Sequence, residues 1–286
     1  MTKRLDTNVP GDFFVNSNCI DCDQCRQIAP ANFSDVRGMS AVTKQPRGDE
    51  ERRLAMHALL TCPTGAIGSE NQEGLQAAME DFPLLVEENV YFNGFTARNS
   101  YGASSYLILH PDGNWLVDAP RYVPQLVEKF EQLGGIRYIF LSHQDDVADA
   151  ARYAEKFGAE RIIHEWELSA QPDAEHVIQG LDTVEFAPEF RILVQPGHTR
   201  GHLVLLYQEK YLFTGDHLAW DRERQDLDAF EDFCWYSWEV QGRSMARLAG
   251  ETFQWVLPGH GDRKKLPADE MRVRMNQLVQ RMGARA

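Results

Sequence analysis

Phe140-Leu141-Ser142-His143-Gln144-Asp145-Asp146 decides how the chain is read. The apolar run from Ile136 to Leu141 predicts a buried strand. It ends abruptly in one imidazole and two carboxylates. Such a strand tip is a natural place for a site, but taken alone it is more often an ordinary solvated turn. The later sequence chooses between the two. It contains Gly197-His198-Thr199-Arg200-Gly201-His202, then Thr214-Gly215-Asp216-His217, then Pro258-Gly259-His260-Gly261. Each follows an apolar run or a turn signal. Four such endings in one chain predict strands that deliver ligands to one edge of a sheet.

Working outward, the 286 residues suffice for one large domain, or for a large and a small one. Apolar content of 43% and aromatic content of 10% are those of a globular protein. No apolar run approaches the ~18 residues of a membrane-spanning helix. The opening Met1-Thr2-Lys3-Arg4-Leu5-Asp6 lacks the apolar core of a secretory signal. A cytoplasmic protein without a membrane partner is expected. The net charge of -14 argues against nucleic acid, which would want a basic face. It suits a small-molecule enzyme or an acidic electron carrier.

Four of the five cysteines are placed for chemistry. Cys19, Cys22 and Cys25 are spaced C-x2-C-x2-C, and Cys62 follows much later, succeeded by Pro63. Three thiolates from one short loop can hold three corners of a 4Fe-4S cubane while the distant Cys-Pro supplies the fourth. A zinc site or a disulfide framework are the alternatives. Structural zinc usually pairs two Cys-x-x-Cys knuckles, and disulfides are rare in a reducing compartment. Residues 13 to 68 resemble a bacterial-type ferredoxin domain. Such domains continue to a fourth Cys before Pro, which serves a second cluster. Ala29 stands there, before Pro30, so the resemblance implies one cluster and not two. Glu50 to Thr61 predicts a helix with Leu54, Ala55, Ala58 and Leu59 on one face, carrying the chain back to Cys62. Cys234, among Phe233, Trp235 and Trp238, reads as a buried core cysteine. The polar stretch from Gly68 to Gly74 reads as a linker. A first domain of residues 1–75 and a second of 76–286 are expected, with Leu75 to Glu88 unassigned.

Beyond the linker, strands and helices interleave. Asn89 to Phe92 and Ser105 to Leu109 predict strands. Pro111-Asp112-Gly113-Asn114 turns a hairpin into Trp115 to Asp118. Val123, Leu126, Val127, Phe130 and Leu133 share a helical face that ends at Gly134-Gly135. Ala148 to Phe157 suits a second helix, capped by Gly158. Strands are expected at Arg161 to His164, Arg191 to Val194, Leu203 to Tyr207 and Tyr211 to Phe213. A last helix carries Met271, Met275, Leu278 and Met282 on one stripe. Two packed sheets covered by helices follow from this order.

Residues of about 88 to 265 resemble the metallo-β-lactamase superfamily. Its pattern is an Asp after an early strand, then H-x-H-x-D-H, a His in G-H-T-x-G-H, an Asp after Gly, and a late His. Asp118, His143, His198 with His202, Asp216 and His260 match it. Asp145 replaces the second His, and Val147 and Ala148 replace the Asp and His that serve a second metal. The resemblance implies an α+β protein: an αββα sandwich behind a ferredoxin-like domain. Its first metal position would keep His143, Asp145, His198 and Asp216. The second would keep Asp216 as a bridge and His260, with Asp146 or Asp149 able to fill in. His164 and His217 are expected to line the substrate or support the ligands, and Asp118 to orient the strand end.

Two imidazoles with carboxylates and open positions form the non-haem iron pattern. A carboxylate in the second place resembles the flavodiiron branch. Persulfide dioxygenases of the superfamily use one iron on the equivalents of His143, His198 and Asp216. The hydrolytic zinc branches keep the full histidine set. Three functions are therefore carried forward. The first is an iron–sulfur-linked oxidoreductase with a mononuclear iron site, acting on a small molecule and served by a redox partner protein, with Asp145, Asp146 and His217 as catalytic candidates. The second is a zinc-type hydrolase of a thioester or lactone. The third is a non-catalytic electron carrier or redox sensor. The aromatic-acidic stretch from Trp220 to Trp238 reads as a lid, a substrate wall or a dimer contact.

Overall fold

A computed structural model describes residues 2–283. The chain forms two compact units, Met1–Ile136 and Arg137–Ala286.

The first unit opens with β1 (Phe13–Val15), α1 (Gln24–Ile28), β2 (Phe33–Asp35), β3 (Ser40–Val42), α2 (Gly48–Thr61) and β4 (Ile67–Ser69). β1 and β4 pair antiparallel, with Phe13 opposite Ser69, and β2 pairs with β3. This brings the loop of Cys19, Cys22 and Cys25 beside the end of α2. Asp49, Glu50 and Glu51 occupy the first turn of α2, where the helix dipole favours carboxylates. Cys62 closes that helix, its N–H donating to the Ala58 carbonyl. The buried face of α2 is only partly the expected one. Ala55, Met56, Ala58 and Leu60 are buried, whereas Leu54 is 37% exposed and Leu59 half-buried. Met56 and Leu60 are one turn apart and continue toward Cys62, so the face that must reach the cysteine loop sets the helix's rotation.

The expected linker is tied down. Asp12 accepts from the Ser69 hydroxyl and the Asn71 N–H, and the Arg52 guanidinium donates to the Asn71 and Glu73 carbonyls. Leu75 to Glu88 resolves into α3 (Leu75–Glu80) and β5 (Leu84–Glu87). The chain continues through β6 (Val90–Phe92), β7 (Tyr106–Ile108), β8 (Trp115–Val117) and α4 (Pro124–Gln132). β5 to β8 form an antiparallel meander, with the β7–β8 hairpin where Pro111 to Asn114 placed it. The boundary expected at residue 75 falls inside this unit, because the cysteine segment bonds to the meander. The Gln24 amide donates to the Gly102 carbonyl and the Ser104 hydroxyl, each at 2.9 Å. The Thr61 carbonyl, at the open end of α2, accepts from the N–H and the hydroxyl of Thr96.

The second unit begins with a parallel trio: β9 (Tyr138–Phe140), β10 (Glu160–His164) and β11 (His176–Ile178). α5 (Ala150–Phe157) links the first two and stops at Gly158, whose φ of 63° suits glycine. β12 (Val184–Ala187), β13 (Phe190–Val194), β14 (Leu203–Tyr207) and β15 (Tyr211–Gly215) then form an antiparallel run. A hairpin of β16 (Ala219–Asp221) and β17 (Asp226–Asp228) and helix α6 (Trp238–Leu248) lead to β18 (Trp255–Pro258), which pairs parallel to β15. β19 (Lys264–Lys265) and α7 (Ala268–Gly283) end the fold. Leu193, Val204, Leu206, Leu212 and Val256 pack against Met245 and Leu248 of α6 and the expected Met271, Met275, Leu278 and Met282 stripe of α7. The alternate residues Ile192, Leu205, Phe213 and Leu257 are also buried, so both faces of this sheet are covered. No described helix is long and apolar enough to cross a membrane.

Candidate metal centre

The strands of the second unit deliver their ends to one place. Past β9, the Ser142 carbonyl accepts from the Leu203 N–H at 2.7 Å, which fixes the chain entering His143. The His143 ring is fully buried; its Nδ1 meets the Ser142 hydroxyl at 3.0 Å, and its Nε2 has no hydrogen-bond partner. Past β13, Gly197 passes so close to α6 that a Cβ there would lie 2.5 Å from the Gln241 Cα. His198 follows, and its Nε2 is likewise unpartnered. β15 ends at Gly215, where a Cβ would meet the Ser142 hydroxyl and His202 Nε2 at 2.7 Å. Asp216 comes next. Past β18, Gly259 donates to the Gly215 carbonyl, and a Cβ on it would lie 2.7 Å from both Asp146 Oδ2 and Asp216 Oδ1. Glycine is required here because carboxylates crowd the backbone.

Asp216 is the centre of the arrangement. Its Oδ2 lies 3.8 Å from His143 Nε2, 3.7 Å from His198 Nε2 and 3.7 Å from His260 Nε2. Two ligands about 2.1 Å from one tetrahedral ion stand about 3.4 Å apart, so these separations are near coordination spacing. Two groups have ligand atoms within 4.8 Å of one another: His143, His198 and Asp216, and Asp146, Asp216 and His260. A shared carboxylate between two three-residue sets is the outline of two adjoining metal positions.

The protonation states suit cations. Burial pushes His143 down to about 3, with His198 and His260 adding to the effect and Asp216 opposing it. Its Nε2 lone pair is therefore available at neutral pH. Burial works against the Asp216 carboxylate, yet His260, His143 and His198 hold it below its ordinary value. Unpartnered buried ring nitrogens of His143 and His198 facing a partly buried carboxylate cost stability unless a cation satisfies them. The donor set thus fits a divalent metal.

The candidates from sequence divide clearly. His143, His198, Asp216 and His260 converge. Asp146 joins the second set: the 3₁₀ turn Gln144–Asp146 brings it inward, to 1% exposure. Asp149 instead sits before α5, beside Arg152. Asp145 reaches within 3.8 Å of His143 Nε2, but its side chain is 53% exposed and outside both sets. Burial nonetheless raises its carboxyl pKa. His217 is sealed in the interior, its ring stacked on His202, and belongs to neither set. His164 is spent on the backbone, with Nε2 on the Gly180 carbonyl and Nδ1 accepting from the Trp166 N–H. Cys234 is not a core residue. It is half-buried, its thiol donating to the Gly197 carbonyl, and Trp235 beside it is 65% exposed. The Trp235 and Tyr236 N–H groups both donate to the His198 carbonyl, so the aromatic segment is clamped to a ligand-bearing loop. Glu167, which also grips that loop, gave no sequence signal.

In the first unit, Cys19, Cys22, Cys25 and Cys62 line one cavity with Val15, Ile20, Ala66 and Ile67. Burial pushes the Cys22 and Cys25 thiols up to about 12, with neighbouring cysteines adding to the effect. Only a cation's field would hold these sulfurs as thiolates. Gly102, at φ 88°, leaves room for Cys22: a Cβ there would lie 2.8 Å from the Cys22 Cβ. Ala29, in the place of a further ligand, is buried.

Residues 15–69 match the family model of the 4Fe-4S single cluster domain of Ferredoxin I. The chain is also similar to solved structures: DIM-1 metallo-β-lactamase exposed to ceftazidime (TM-score 0.53, 16% identity, 69% of this chain and 95% of that one), a metallo-β-lactamase from Hirschia baltica (0.52, 15%, 68% and 96%), and FIM-1 from Pseudomonas aeruginosa in a mono-zinc form (0.52, 17%, 69% and 93%). The fold is that of a metallo-β-lactamase. A ferredoxin-type segment thus precedes a metallo-β-lactamase fold, as the two resemblances implied. The chain is 29% identical over 138 residues to the uncharacterized protein YmaE of Bacillus subtilis (strain 168), a match spanning 46% of this chain and only 50% of that relative.

Proposed function

We propose that the chain is an iron–sulfur-linked oxidoreductase acting on a small molecule at the metal centre around Asp216. One observation carries this reading: a four-cysteine cavity suited to a cluster stands on the same chain as a carboxylate-rich ligand set. Hydrolysis needs no electrons, whereas chemistry on oxygen, nitric oxide or sulfur species consumes or releases them. His143, His198 and Asp216 would hold a metal at one position and Asp146, Asp216 and His260 at the other. When bound there, a metal supplies a Lewis acid and, as iron, a one-electron redox centre.

The chain's own residues prepare the site. Buried His143 stays a neutral donor, and the buried rings of His143 and His198 keep water from behind the centre. Half-exposed Asp145 stands at the open side, where its raised carboxyl pKa suits it to hold a proton beside a substrate. Asp146 serves as a ligand, and His217 supports His202 from the interior. A four-cysteine cluster site suits a reducing, cytoplasmic setting, and a redox partner protein would feed the cluster. A hydrolytic reading has one observation in its favour, the likeness to metallo-β-lactamases, and uses the same ligands with zinc.

The test is turnover of anaerobically purified protein whose iron, sulfide and zinc contents have been measured. Reductant-dependent consumption of dioxygen, nitric oxide or a persulfide, lost in Cys62→Ser, supports the proposal. Hydrolysis of a thioester or lactone without reductant, unchanged in Cys62→Ser, overturns it.

A further inference from the structure

We infer that Glu167 is the positioning residue of the metal centre, holding two ligand-bearing loops to each other; this rests on the metal-binding reading of those loops. Glu167 lies in the 3₁₀ turn Glu165–Ala170 that follows β10, and only 2% of it is exposed. Its two carboxylate oxygens serve two different loops. Oε2 accepts from the Gln144 N–H at 3.2 Å, and Oε1 accepts from the Gly201 N–H at 2.6 Å. Gln144 follows His143 directly and begins the turn that presents Asp145 and Asp146. Gly201 lies between His198 and His202. One carboxylate therefore fixes the backbone of the loop supplying a ligand to each position and of the loop supplying His198.

The surroundings are shaped for this contact. A Cβ on Gly201 would lie 2.7 Å from Glu167 Cγ, 2.9 Å from its Oε1 and 2.9 Å from His164 Nδ1. The φ of Gly201 is not positive, so its lack of a side chain serves close approach and not a left-handed backbone. The neighbouring pair repeats the grip, with the Arg200 guanidinium 4.3 Å over the Trp166 ring. His164 anchors the start of the turn through its bonds to Gly180 and Trp166. A glutamine at 167 would offer one acceptor oxygen and turn N–H donors toward the other amide. That swap preserves volume and breaks one bridge.

The experiment is equilibrium dialysis of zinc against a competing chelator, using the whole chain with its iron–sulfur cluster in place. Glu167→Gln is expected to weaken zinc binding about 10- to 100-fold, the usual effect of losing a group that orients ligands. Gly201→Ala is expected to do the same by displacing Glu167. Arg191→Gln, which removes an ion pair to Glu251 elsewhere in the unit, controls for lost stability: its melting temperature should fall while its zinc affinity stays at the wild-type value. Wild-type affinity in folded Glu167→Gln overturns the inference, as does an Arg191→Gln protein that loses zinc as readily. A wild-type chain that takes up no zinc or iron beyond its cluster overturns the metal-centre reading itself.

Discussion

A single carboxylate oxygen, Asp216 Oδ2, faces three imidazole nitrogens within 3.8 Å. Removing its charge should empty both metal positions. Asp216→Asn is therefore expected to lose all metal beyond the cluster by elemental analysis while leaving cluster iron unchanged. Asp145 makes the opposite prediction. Asp145→Asn should keep the metal and lower turnover by about 10²-fold or more, the scale of general acid–base catalysis; loss of metal would instead make it a ligand. His143, His198, Asp216 and His260, whose ligand atoms converge in the fold, are legible in the sequence because each follows an apolar run or a turn signal. Asp146 is not, because no spacing rule reports whether a 3₁₀ turn rotates a side chain inward. Glu167 was invisible, since its partners are backbone amides, which carry no sequence signature.

At the scale of elements, the α7 stripe was legible because Met271, Met275, Leu278 and Met282 recur at helical spacing against one sheet face. Met275 is fully buried in that layer. Met275→Ala should cost about 2–5 kcal/mol in denaturant unfolding, with little effect on cluster iron. The face of α2 was read less well, because its rotation is set by tertiary contacts near Cys62 and not by its own periodicity. Arg161 of β10 and Glu175, just before β11, form an ion pair whose effect depends on pH. The hydrogen bond and charge of Arg161, opposed by slight burial, draw Glu175 down to about 2 from 4.5. A depressed carboxylate adds stability above its unfolded pKa and loses it as pH falls toward its folded one. Glu175→Gln should thus lower stability at pH 7 by about 1 kcal/mol or less, because the Glu175 side chain is 40% exposed, and the melting temperature should fall modestly with it. The difference from wild type should shrink below about pH 4.5 and vanish near pH 2.

For the whole molecule, the chemistry was more legible than the organisation. Four cysteines in a known spacing and the ordered run of His and Asp after strands point to a ferredoxin-type segment and a metallo-β-lactamase fold. The polar run from Gly68 to Gly74 suggested a free linker, because composition does not show that Asp12 and Arg52 hold it. Cluster loss offers a test of this coupling. Cys62→Ser should abolish the iron–sulfur absorbance and raise protease sensitivity within residues 15–69, since the thiol cavity then lacks its filling. The bonds from Gln24 to Gly102 and Ser104, and from Thr96 to the end of α2, have a practical consequence. The cysteine-bearing segment is not a cassette that can be cut out and grafted. A scission near residue 75 would leave a severed helix end on one fragment and orphaned threonine and glycine groups on the other. Shuffling of this segment between proteins would have to carry the first strands of the following fold along with it.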